Sequence, residues 1–473
     1  MIDVLAVASE YYPLVKTGGL ADVTGALPAA LKPHGFATRT LLPGYPKVMQ
    51  SLGKREILHD FADLFGGPAH LIASGDLIIL DAPHLYGRDG NPYLGPDGKD
   101  WPDNWRRFAA LGLAAGELGS GGVAQYRPRI VHAHDWQAAL APVYLRFWQG
   151  TAKSVLTIHN LAFQGQFPSK IFAELRLPPS AFAIDGVEYY GAVGFLKGGL
   201  ASADAITTVS PTYAAEIATP QHGMGLDGMI RARRSAVAGI VNGIDIQIWD
   251  PATDQALPER YTAQRLVRRQ ANKIAIEQRF GLDRDDGPLF CVVSRLTWQK
   301  GMDILADTLD GLVAQGARLA MLGSGEAWLE QSFAAAAQRH QGRIGVIAAY
   351  DENLSHLLQG GSDAILIPSR FEPCGLTQLY GLRYGCVPVV AQTGGLADTI
   401  IDANDAAISA GVASGLHFAA ADAAALDHGI ARAVALYREP KIWTQMQRMG
   451  MKMDVSWEKS AARYAALYRR LIG

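Results

Sequence analysis

The chain of 473 residues carries 43 Lys and Arg against 45 Asp and Glu, for a formal net charge of −2. Its 49% apolar and 19% charged residues exclude a disordered or fibrous protein, and a prior of roughly one domain per 150 residues allows two or three domains. The balanced charge argues against nucleic acid or a membrane as main partner, and three cysteines cannot form a disulfide framework. Without a basic leader or an apolar run of about 18 residues, we expect a soluble, cytoplasmic protein.

The first half of the chain alternates strand-like with helix-like segments. The strand-like runs are rich in β-branched residues and end in polar or glycine-rich turns, at residues 4–9, 129–134, 154–159 and 205–210. Helical patterns follow at residues 136–148 and 212–217, and Ser210 before Pro211 is typical of a helix start. This alternation predicts a parallel sheet that is covered on both faces.

The second half repeats the same rhythm. Its predicted strands lie at residues 288–294, 317–323, 344–349, 364–368 and 387–391. We therefore predict an α/β protein with two Rossmann-like, doubly wound domains, residues 1–240 and 272–456. A hinge or linker over residues 241–271 joins them, because that segment is rich in Asn, Gly, Asp and Pro and lacks periodicity. Residues 457–473 form a helix with one apolar face, and the sequence leaves its packing partner open.

Ligands of doubly wound folds bind outside the carboxyl ends of the strands, and the polar motifs of this chain follow both sets of strands. We therefore expect the two domains to face each other across a cleft, although two independent domains are the alternative. The first motif combines Lys16 with the pair Gly18 and Gly19, and Asp22 follows in the next helical segment. Backbone amides beside a glycine pair can approach an anion, whereas the plainer interpretation is a tight connection.

Two further strands of the first half end in histidines. His132 and His134 precede Asp135, and His159 precedes Asn160 at the end of the next predicted strand. Two histidines and one aspartate could be metal ligands, but no second cluster follows. The stronger interpretation is that one histidine packs and that Asp135 faces the cleft as a polar contact to a sugar or a cation. His159 could be a general base, a hydrogen-bond partner of a sugar hydroxyl, or a core residue.

In the second half, Arg295 and Lys300 bracket a short loop between a strand and a helix. Two cations with free amides suit a diphosphate, and a solvated charged turn is the alternative. The turn at residues 323–325 is a weak Gly-x-Gly signal that is more typical of packing. Residues 283–285 match an Asp-x-Asp metal motif, but they lie in a charged loop and indicate a surface turn.

Another strand of the second half leads into a rigid, glycine-containing turn with Glu372, Cys374 and Gly375. This turn presents one carboxylate and several amides to a single point, and a second glycine pair follows at residues 394–395. A buried structural glutamate is the alternative for Glu372. Cys374 is either an inert small residue or an exposed, modifiable thiol, and we favour the inert residue.

Taken together, these motifs resemble those of the bacterial glycogen synthases, which are relatives of the plant starch synthases. The motifs stand in the expected order over essentially the whole chain, at residues 16–20, 132–136, 159–160, 241–245, 294–301, 372–376 and 393–396. The resemblance implies the two-domain glycosyltransferase B fold, with an acceptor-side first domain and a nucleotide-sugar-binding second domain. It also implies retaining transfer of glucose from ADP-glucose to the non-reducing end of an α-1,4-glucan such as glycogen, without a metal or other cofactor.

The resemblance further assigns roles to individual residues. Arg295 and Lys300 would neutralise the diphosphate of the leaving ADP, and Glu372 would hold hydroxyls of the glucose. Asp135 and His159 would orient the sugar and stabilise an oxocarbenium-like transition state. The other positions that it places against the substrates are Lys16, Gly18, Gly19, Asp22, Asn160, Asn242, Tyr350, Cys374, Gly375, Leu376 and Thr377.

Two tyrosines qualify the resemblance. Tyr350 resembles the aromatic residue that stacks on adenine, but a core tyrosine is nearly as good an interpretation. Tyr380 stands where many relatives in the broader superfamily carry a second glutamate, eight positions after the first, which commonly binds the ribose. The sequence therefore puts direct bonding between a carboxylate and the ribose in doubt.

Retention normally indicates two displacements through a carboxylate nucleophile, and no carboxylate is an obvious candidate here. We therefore predict attack from the leaving-group side through a short-lived ion pair. The competing classes lack their signatures: there is no recognisable cofactor lysine for a glucan phosphorylase and no spaced-glycine fingerprint for a nicotinamide oxidoreductase. A non-catalytic glucan-binding protein would not need Lys16, Arg295 and Lys300 to converge.

Overall fold

The computed structural model describes residues 1–473, which form two compact units. The first unit combines Met1–Asn242 with Trp457–Gly473, and the second is Gly243–Ser456. The chain therefore passes from one unit to the other at residues 242–243 and returns at residues 456–457. Most of the segment predicted as a linker belongs to the second unit.

The first unit contains twelve strands, β1 to β12. They are Ile2–Val7, Phe36–Pro43, Glu56–Phe61, Ala69–Ser74, Leu77–Asp81, Ile130–His134, Lys153–Ile158, Gln166–Phe167, Glu188–Tyr189, Ala192–Gly194, Ala205–Thr208 and Val237–Gly239. Nine form one sheet in the order β12-β11-β7-β6-β1-β2-β5-β4-β3, and β8, β10 and β9 form a small second sheet. The large sheet is parallel from β12 to β5, while β4 pairs antiparallel with both β5 and β3.

Nine α-helices, α1 to α9, connect these strands. They are Gly19–Leu31, Pro46–Ser51, Pro83–Tyr86, Asn104–Gly119, Asp135–Ala138, Leu140–Phe147, Phe195–Ser202, Pro211–Glu216 and Asp227–Ala232. Helix α8 starts as its sequence predicts, because the Ser210 hydroxyl accepts a hydrogen bond from the Tyr213 amide (3.1 Å) and Pro211 occupies the first helical position. The helix predicted at residues 136–148 is split into α5 and α6, and Pro142 in the first turn of α6 has no N–H to continue α5.

The second unit is built on one fully parallel sheet of six strands, in the order β15-β14-β13-β16-β17-β18. These strands, β13 to β18, are Leu289–Val293, Arg318–Leu322, Ile344–Ile347, Ala364–Ile367, Val387–Ala391 and Leu416–Phe418. Its helices, α10 to α18, are Arg269–Phe280, Met302–Ala314, Ala327–Arg339, Glu352–Gly361, Thr377–Tyr384, Gly394–Thr399, Asp405–Ala410, Ala423–Tyr437 and Pro440–Lys452. The alternation of parallel strands and helices in each unit confirms the predicted α/β fold class.

Residues 243–271 are packed rather than loose. Trp249, Leu257 and Tyr261 are 7%, 5% and 2% exposed and belong to the hydrophobic core of the second unit. The polar composition of this segment predicts a linker, but its few large apolar side chains bury themselves against the parallel sheet and its helices. The predicted linker over residues 241–271 is thus replaced by a much shorter crossing.

The last helix, α19 (Trp457–Ile472), packs on the first unit. Its apolar face lies in one core cluster with Val4, Leu27 and Phe36, and the Tyr468 ring meets that of Phe36 edge-on at 5.2 Å. The packing partner that the sequence leaves open is therefore α1 together with the starts of β1 and β2. No helix of the protein has the length and apolar character needed to cross a membrane.

Candidate active site

Two of the predicted residues of the first unit, Asp135 and His159, lie where neighbouring strands end. Strands β7, β6 and β1 lie side by side, and His159, Asp135 and Glu10 follow their carboxyl ends. This edge of a doubly wound sheet is where ligands bind, because the backbone leaves the sheet there and the following helices begin.

Glu10 organises the glycine turn of the first unit. Glu10 is only 3% exposed. Its carboxylate accepts hydrogen bonds from the Thr17 amide (2.5 Å), the Thr17 hydroxyl (2.6 Å) and the Gly18 amide (3.3 Å). The Tyr93 hydroxyl donates to Glu10 Oε1 at 2.5 Å, the same oxygen that accepts from the Thr17 hydroxyl, while the two amides donate to Oε2. The sequence motifs do not identify Glu10 as a site residue, although a charged residue soon after a buried strand is a signal for one.

Lys16 and Asp22 from the same motif form an ion pair, with 2.8 Å between the lysine Nζ and the Asp22 Oδ1. The ammonium also lies 5.1 Å from the centre of the Tyr12 ring. Because both side chains are only partly exposed, the charge of Lys16 is held beside α1. Their contacts with a substrate remain a prediction.

Asp135 occupies an unusual position at the start of α5. Its φ of 56° lies in the left-handed region, which is uncommon for residues other than glycine and recurs at functional sites. Its Oδ1 accepts hydrogen bonds from the amides of His159 (2.7 Å) and Asn160 (3.4 Å), so it ties two strand ends together. Burial raises the pKa of Asp135 to about 7, although these hydrogen bonds favour the carboxylate.

Of the histidines beside Asp135, His132 and His134 are buried, His159 is half-buried, and all three are uncharged near pH 7. His132 bridges the Thr157 hydroxyl (2.5 Å) and the Tyr468 hydroxyl (2.7 Å), and His134 Nδ1 lies 3.0 Å from His159 Nε2. Burial lowers the pKa of both His132 and His159 to about 3, so both are neutral near pH 7. His132 is thus a satisfied structural histidine. The residues form no group of three or more side chains that could hold a metal ion.

The second unit has a small pocket of about 50 Å³ at the carboxyl ends of β13 and β16. Among its lining residues are Ser294, Lys300, Glu372, Gly375, Leu376 and Thr377. Five of these six residues are predicted site residues, and the structure brings them together in one place. Gly375 has a φ of +72° directly before α14, a conformation that favours glycine.

A buried ion pair forms one wall of this pocket. The Lys300 ammonium lies 2.5 Å from a Glu372 carboxylate oxygen, and the Ser369 hydroxyl donates to the same oxygen at 2.9 Å. The side chains of Lys300 and Glu372 are 20% and 9% exposed. Glu372 is therefore held in a fixed orientation, and its purely structural interpretation is weakened because its partner lines the pocket.

Of the two arginines near this pocket, one is paired with a carboxylate and the other is exposed. Arg370 forms a two-point ion pair with Asp303, with N–O distances of 2.6 and 2.7 Å. Arg295, in contrast, is exposed and forms no ion pair. Arg295 is not among the pocket-lining residues, so its contact with a diphosphate stays a prediction.

The remaining predicted residues have diverse environments. Tyr350 is 76% exposed, so the core interpretation is wrong. Tyr380 stacks on Trp249 with 3.6 Å between ring centres.

Cys374 is 5% exposed, which supports the interpretation as an inert residue over that as an exposed thiol. Asn242 is 7% exposed, and its side-chain oxygen has no hydrogen-bond partner.

The comparisons with known proteins cover both units. The family model "Starch synthase catalytic domain" matches residues 3–232, and "Glycosyl transferases group 1" matches residues 274–448. The glycogen synthase of Mesorhizobium japonicum is 61% identical, over 100% of this chain and 99% of that protein. Glycogen synthase 1 of Rhizobium meliloti is 59% identical over the same shares.

Among solved structures, the catalytic domain of starch synthase IV from Arabidopsis thaliana, bound to ADP and acarbose, matches with a TM-score of 0.87 and 30% identity. The match covers 100% of this chain and 99% of the starch synthase IV chain. Fold and matches together define a glycosyltransferase with two α/β domains, as the sequence predicts. The chain belongs to the bacterial glycogen synthase family, because it is similar to curated members of that family over its full length.

Proposed function

We propose that this enzyme transfers glucose from ADP-glucose to the non-reducing 4-OH end of an α-1,4-glucan, with retention of configuration. The family membership supports the reaction type, and the structural relative bound to ADP and acarbose supports an adenine nucleotide and a glucan-like ligand. The single observation that carries the proposal within this molecule is the pocket in which Lys300 and Glu372 form an ion pair.

The second unit has the groups that a nucleotide sugar requires. An ammonium carries three N–H donors, so Lys300 can keep Glu372 and still donate to a phosphate oxygen. Exposed and without an ion pair, Arg295 supplies a second, two-point donor for the diphosphate. These charges stabilise the leaving ADP most strongly when its negative charge develops, which is the condition for catalysis.

The first unit has groups that suit sugar hydroxyls. His159 is neutral near pH 7, so its ring both donates and accepts hydrogen bonds without adding charge. Asp135 and Asn160 follow the ends of neighbouring strands, and Asp135 holds the amides of both His159 and Asn160. We assign these three residues to the transferred glucose and its oxocarbenium-like transition state.

The chemical step proceeds from the leaving-group side through a short-lived ion pair. The bond between the anomeric carbon and the diphosphate oxygen breaks first, with its electron pair leaving on ADP, and gives an oxocarbenium-like glucosyl cation beside the ADP anion. The acceptor hydroxyl oxygen then bonds to the anomeric carbon from the same side, and a diphosphate oxygen of ADP takes the hydroxyl proton. Glu372 is a poor nucleophile because Lys300 and Ser369 already hold its carboxylate. Capture of a glucosyl ester on Asp135 or Glu372 by mass spectrometry would reject this route.

No step of this reaction uses a metal ion or a redox cofactor. The diphosphate charge is met by side chains, so dialysis against EDTA should leave activity unchanged, and restored activity on adding Mg²⁺ would contradict this assignment. We also assign the enzyme to the cytoplasm, which the three buried free cysteines support, and fractionation of cells tests the assignment.

The direct test compares ADP-glucose, UDP-glucose and GDP-glucose as donors with glycogen as acceptor. We expect polymer growth with ADP-glucose and a strong preference for it over the other two. Absence of growth with every donor would contradict the transferase assignment, whereas equal use of UDP-glucose would contradict only the adenine-stacking role of Tyr350.

A further inference from the structure

Two tryptophans of the second unit are held in place although about half of each residue is exposed. Trp298 follows β13 and is 55% exposed, and Trp328 follows β14 at the start of α12 and is 52% exposed. Strands β13 and β14 are neighbours in the sheet, so both side chains belong to the same carboxyl edge. We call the two together the tryptophan platform.

Glu326 joins the two halves of the tryptophan platform. One of its carboxylate oxygens accepts a hydrogen bond from the Trp298 amide (3.1 Å), and the other accepts one from the Trp328 indole N–H (2.8 Å). An isolated bridge between Leu296 and Gly325 ties the same two loops together through their backbones. The indole of Trp328 therefore has a fixed orientation without being covered.

Trp298 is fixed from one side by Arg370. The guanidinium lies 4.5 Å from the centre of the Trp298 ring and donates a hydrogen bond to its carbonyl oxygen at 2.7 Å. Arg370 is itself held by Asp303 through two hydrogen bonds. A cation over one face of the indole orders the ring and leaves other parts of its surface open to solvent.

We propose that the tryptophan platform binds the α-glucan chain of the acceptor. Pyranose rings have apolar C–H faces that stack on indoles, and a rigid aromatic surface binds them with little loss of conformational entropy. Exposed tryptophans are enriched where partners bind, because they bury much apolar area per side chain. This inference rests on the proposed function, since a polymeric glucan is the acceptor of that reaction.

The charges around the platform favour a neutral ligand over the nucleotide. Glu326 lies beside both indoles, and Glu330 accepts a hydrogen bond from the Gly325 amide at 2.9 Å. The Arg370 guanidinium over Trp298 is paired with Asp303, so it adds little net positive charge. The Glu326 and Glu330 carboxylates repel a diphosphate but accept hydrogen bonds from sugar hydroxyls. The platform is thus distinct in chemistry from the cationic pocket that contains Lys300.

The test measures binding of glycogen and maltoheptaose without any donor, by affinity electrophoresis and calorimetry. Trp328→Ala should weaken glycogen binding by about tenfold, the loss of one well-placed aromatic contact. Trp328→Phe should keep most of the affinity, since it retains a stacking surface. Tyr190→Ala is the control, because Tyr190 is 81% exposed but belongs to the first unit.

Steady-state kinetics supply the second readout. We expect the KM for glycogen to rise about tenfold in Trp328→Ala, with the KM for ADP-glucose and the kcat on maltotriose within about twofold of the wild type. Unchanged glycogen affinity, or a rise in the KM for ADP-glucose alone, would overturn the proposal. A wild type that binds glycogen but transfers no glucose would refute the proposed function and leave the platform as a glucan site.

Discussion

Glu10 in the first unit and Glu372 in the second are both buried carboxylates in strand-to-helix connections that contain glycine, but they have different partners. Glu10 accepts only from neutral donors, two backbone amides and two hydroxyls. Glu372 accepts from the Lys300 ammonium and the Ser369 hydroxyl. The first arrangement shapes a loop, whereas the second keeps a cation beside a pocket, which is why we place the proposed donor-binding charge in the second unit.

We expect the largest effect when the cations of the second unit, Lys300 and Arg295, are removed. Lys300→Ala and Arg295→Ala should each lower kcat by about 10²–10³, as expected for one preorganised donor to a developing negative charge. Steady-state kinetics with ADP-glucose and glycogen measure the loss. Lys452→Ala, at an exposed lysine that ends α18, is the matched control and should retain full activity.

Stability should separate the two variants. Lys300→Ala leaves Glu372 buried without its cation, so its melting temperature should fall, while Arg295→Ala removes an exposed side chain and should not change it. A mild kinetic loss in either variant would remove that residue from the mechanism.

The neutral arrangement of the first unit is tested by Glu10→Gln. The amide nitrogen of glutamine cannot accept the hydrogen bonds that one carboxylate oxygen now takes, so the turn around Gly18 should loosen. We expect kcat/KM to fall about tenfold, the cost of roughly one charge-assisted hydrogen bond. Glu188→Gln removes a carboxylate that caps a turn at Gly191, and its kinetics should match the wild type. Equal losses in both variants would contradict a specific role for Glu10.

The raised pKa of Asp135 predicts a pH dependence of stability. Between its ordinary pKa of 3.8 and about 7, the folded state holds this proton more tightly than the unfolded state does. Raising the pH through that window should therefore reduce the contribution of Asp135 to the free energy of unfolding, and this decline should level off above about pH 7. His132, His134 and His159 act in the opposite direction below about pH 6.5, because their pKa values are lower in the folded state than in the unfolded state. Only a comparison with a variant at position 135 therefore isolates the effect of the carboxyl group.

The comparison with Asp135→Asn isolates the carboxyl group. Urea unfolding at several pH values from 4 to 8 should show the wild type losing stability relative to the variant as the pH rises. Parallel curves for the two proteins would show that the folded state does not raise the pKa of Asp135.

The smallest expected effect concerns Tyr350. If its exposed ring stacks on adenine, Tyr350→Ala should raise the KM for ADP-glucose about three- to tenfold and leave the melting temperature unchanged. Tyr350→Phe keeps the ring and should behave like the wild type. A KM that is equal in all three proteins would exclude the stacking role.

Local sequence patterns predict the parallel strands and the glycine turns, because burial on both faces and strand-to-helix connections leave clear signatures. The sequence patterns do not predict strands β2 to β5, in contrast. The Lys300–Glu372 pair joins residues 72 positions apart, and the Tyr93–Glu10 hydrogen bond joins residues 83 apart. The sequence motifs identify Lys300 and Glu372 as site residues, but they do not reveal that the two side chains pair. They do not identify Glu10, because its role depends on a hydrogen bond with the distant Tyr93.

The linker shows why composition misleads. Residues 241–271 are polar overall, yet Trp249 is buried and stacks on both His356 (3.7 Å) and Tyr380 (3.6 Å). Those partners lie about a hundred residues further along the chain, so no local pattern reveals them.

A crystal structure of the enzyme soaked with ADP tests the central assignment most directly. We predict that the diphosphate oxygens lie within about 3 Å of the Lys300 ammonium and the Arg295 guanidinium, beside the turn that contains Gly375. A nucleotide bound at any other surface, with Lys300 still paired only to Glu372, would contradict the account.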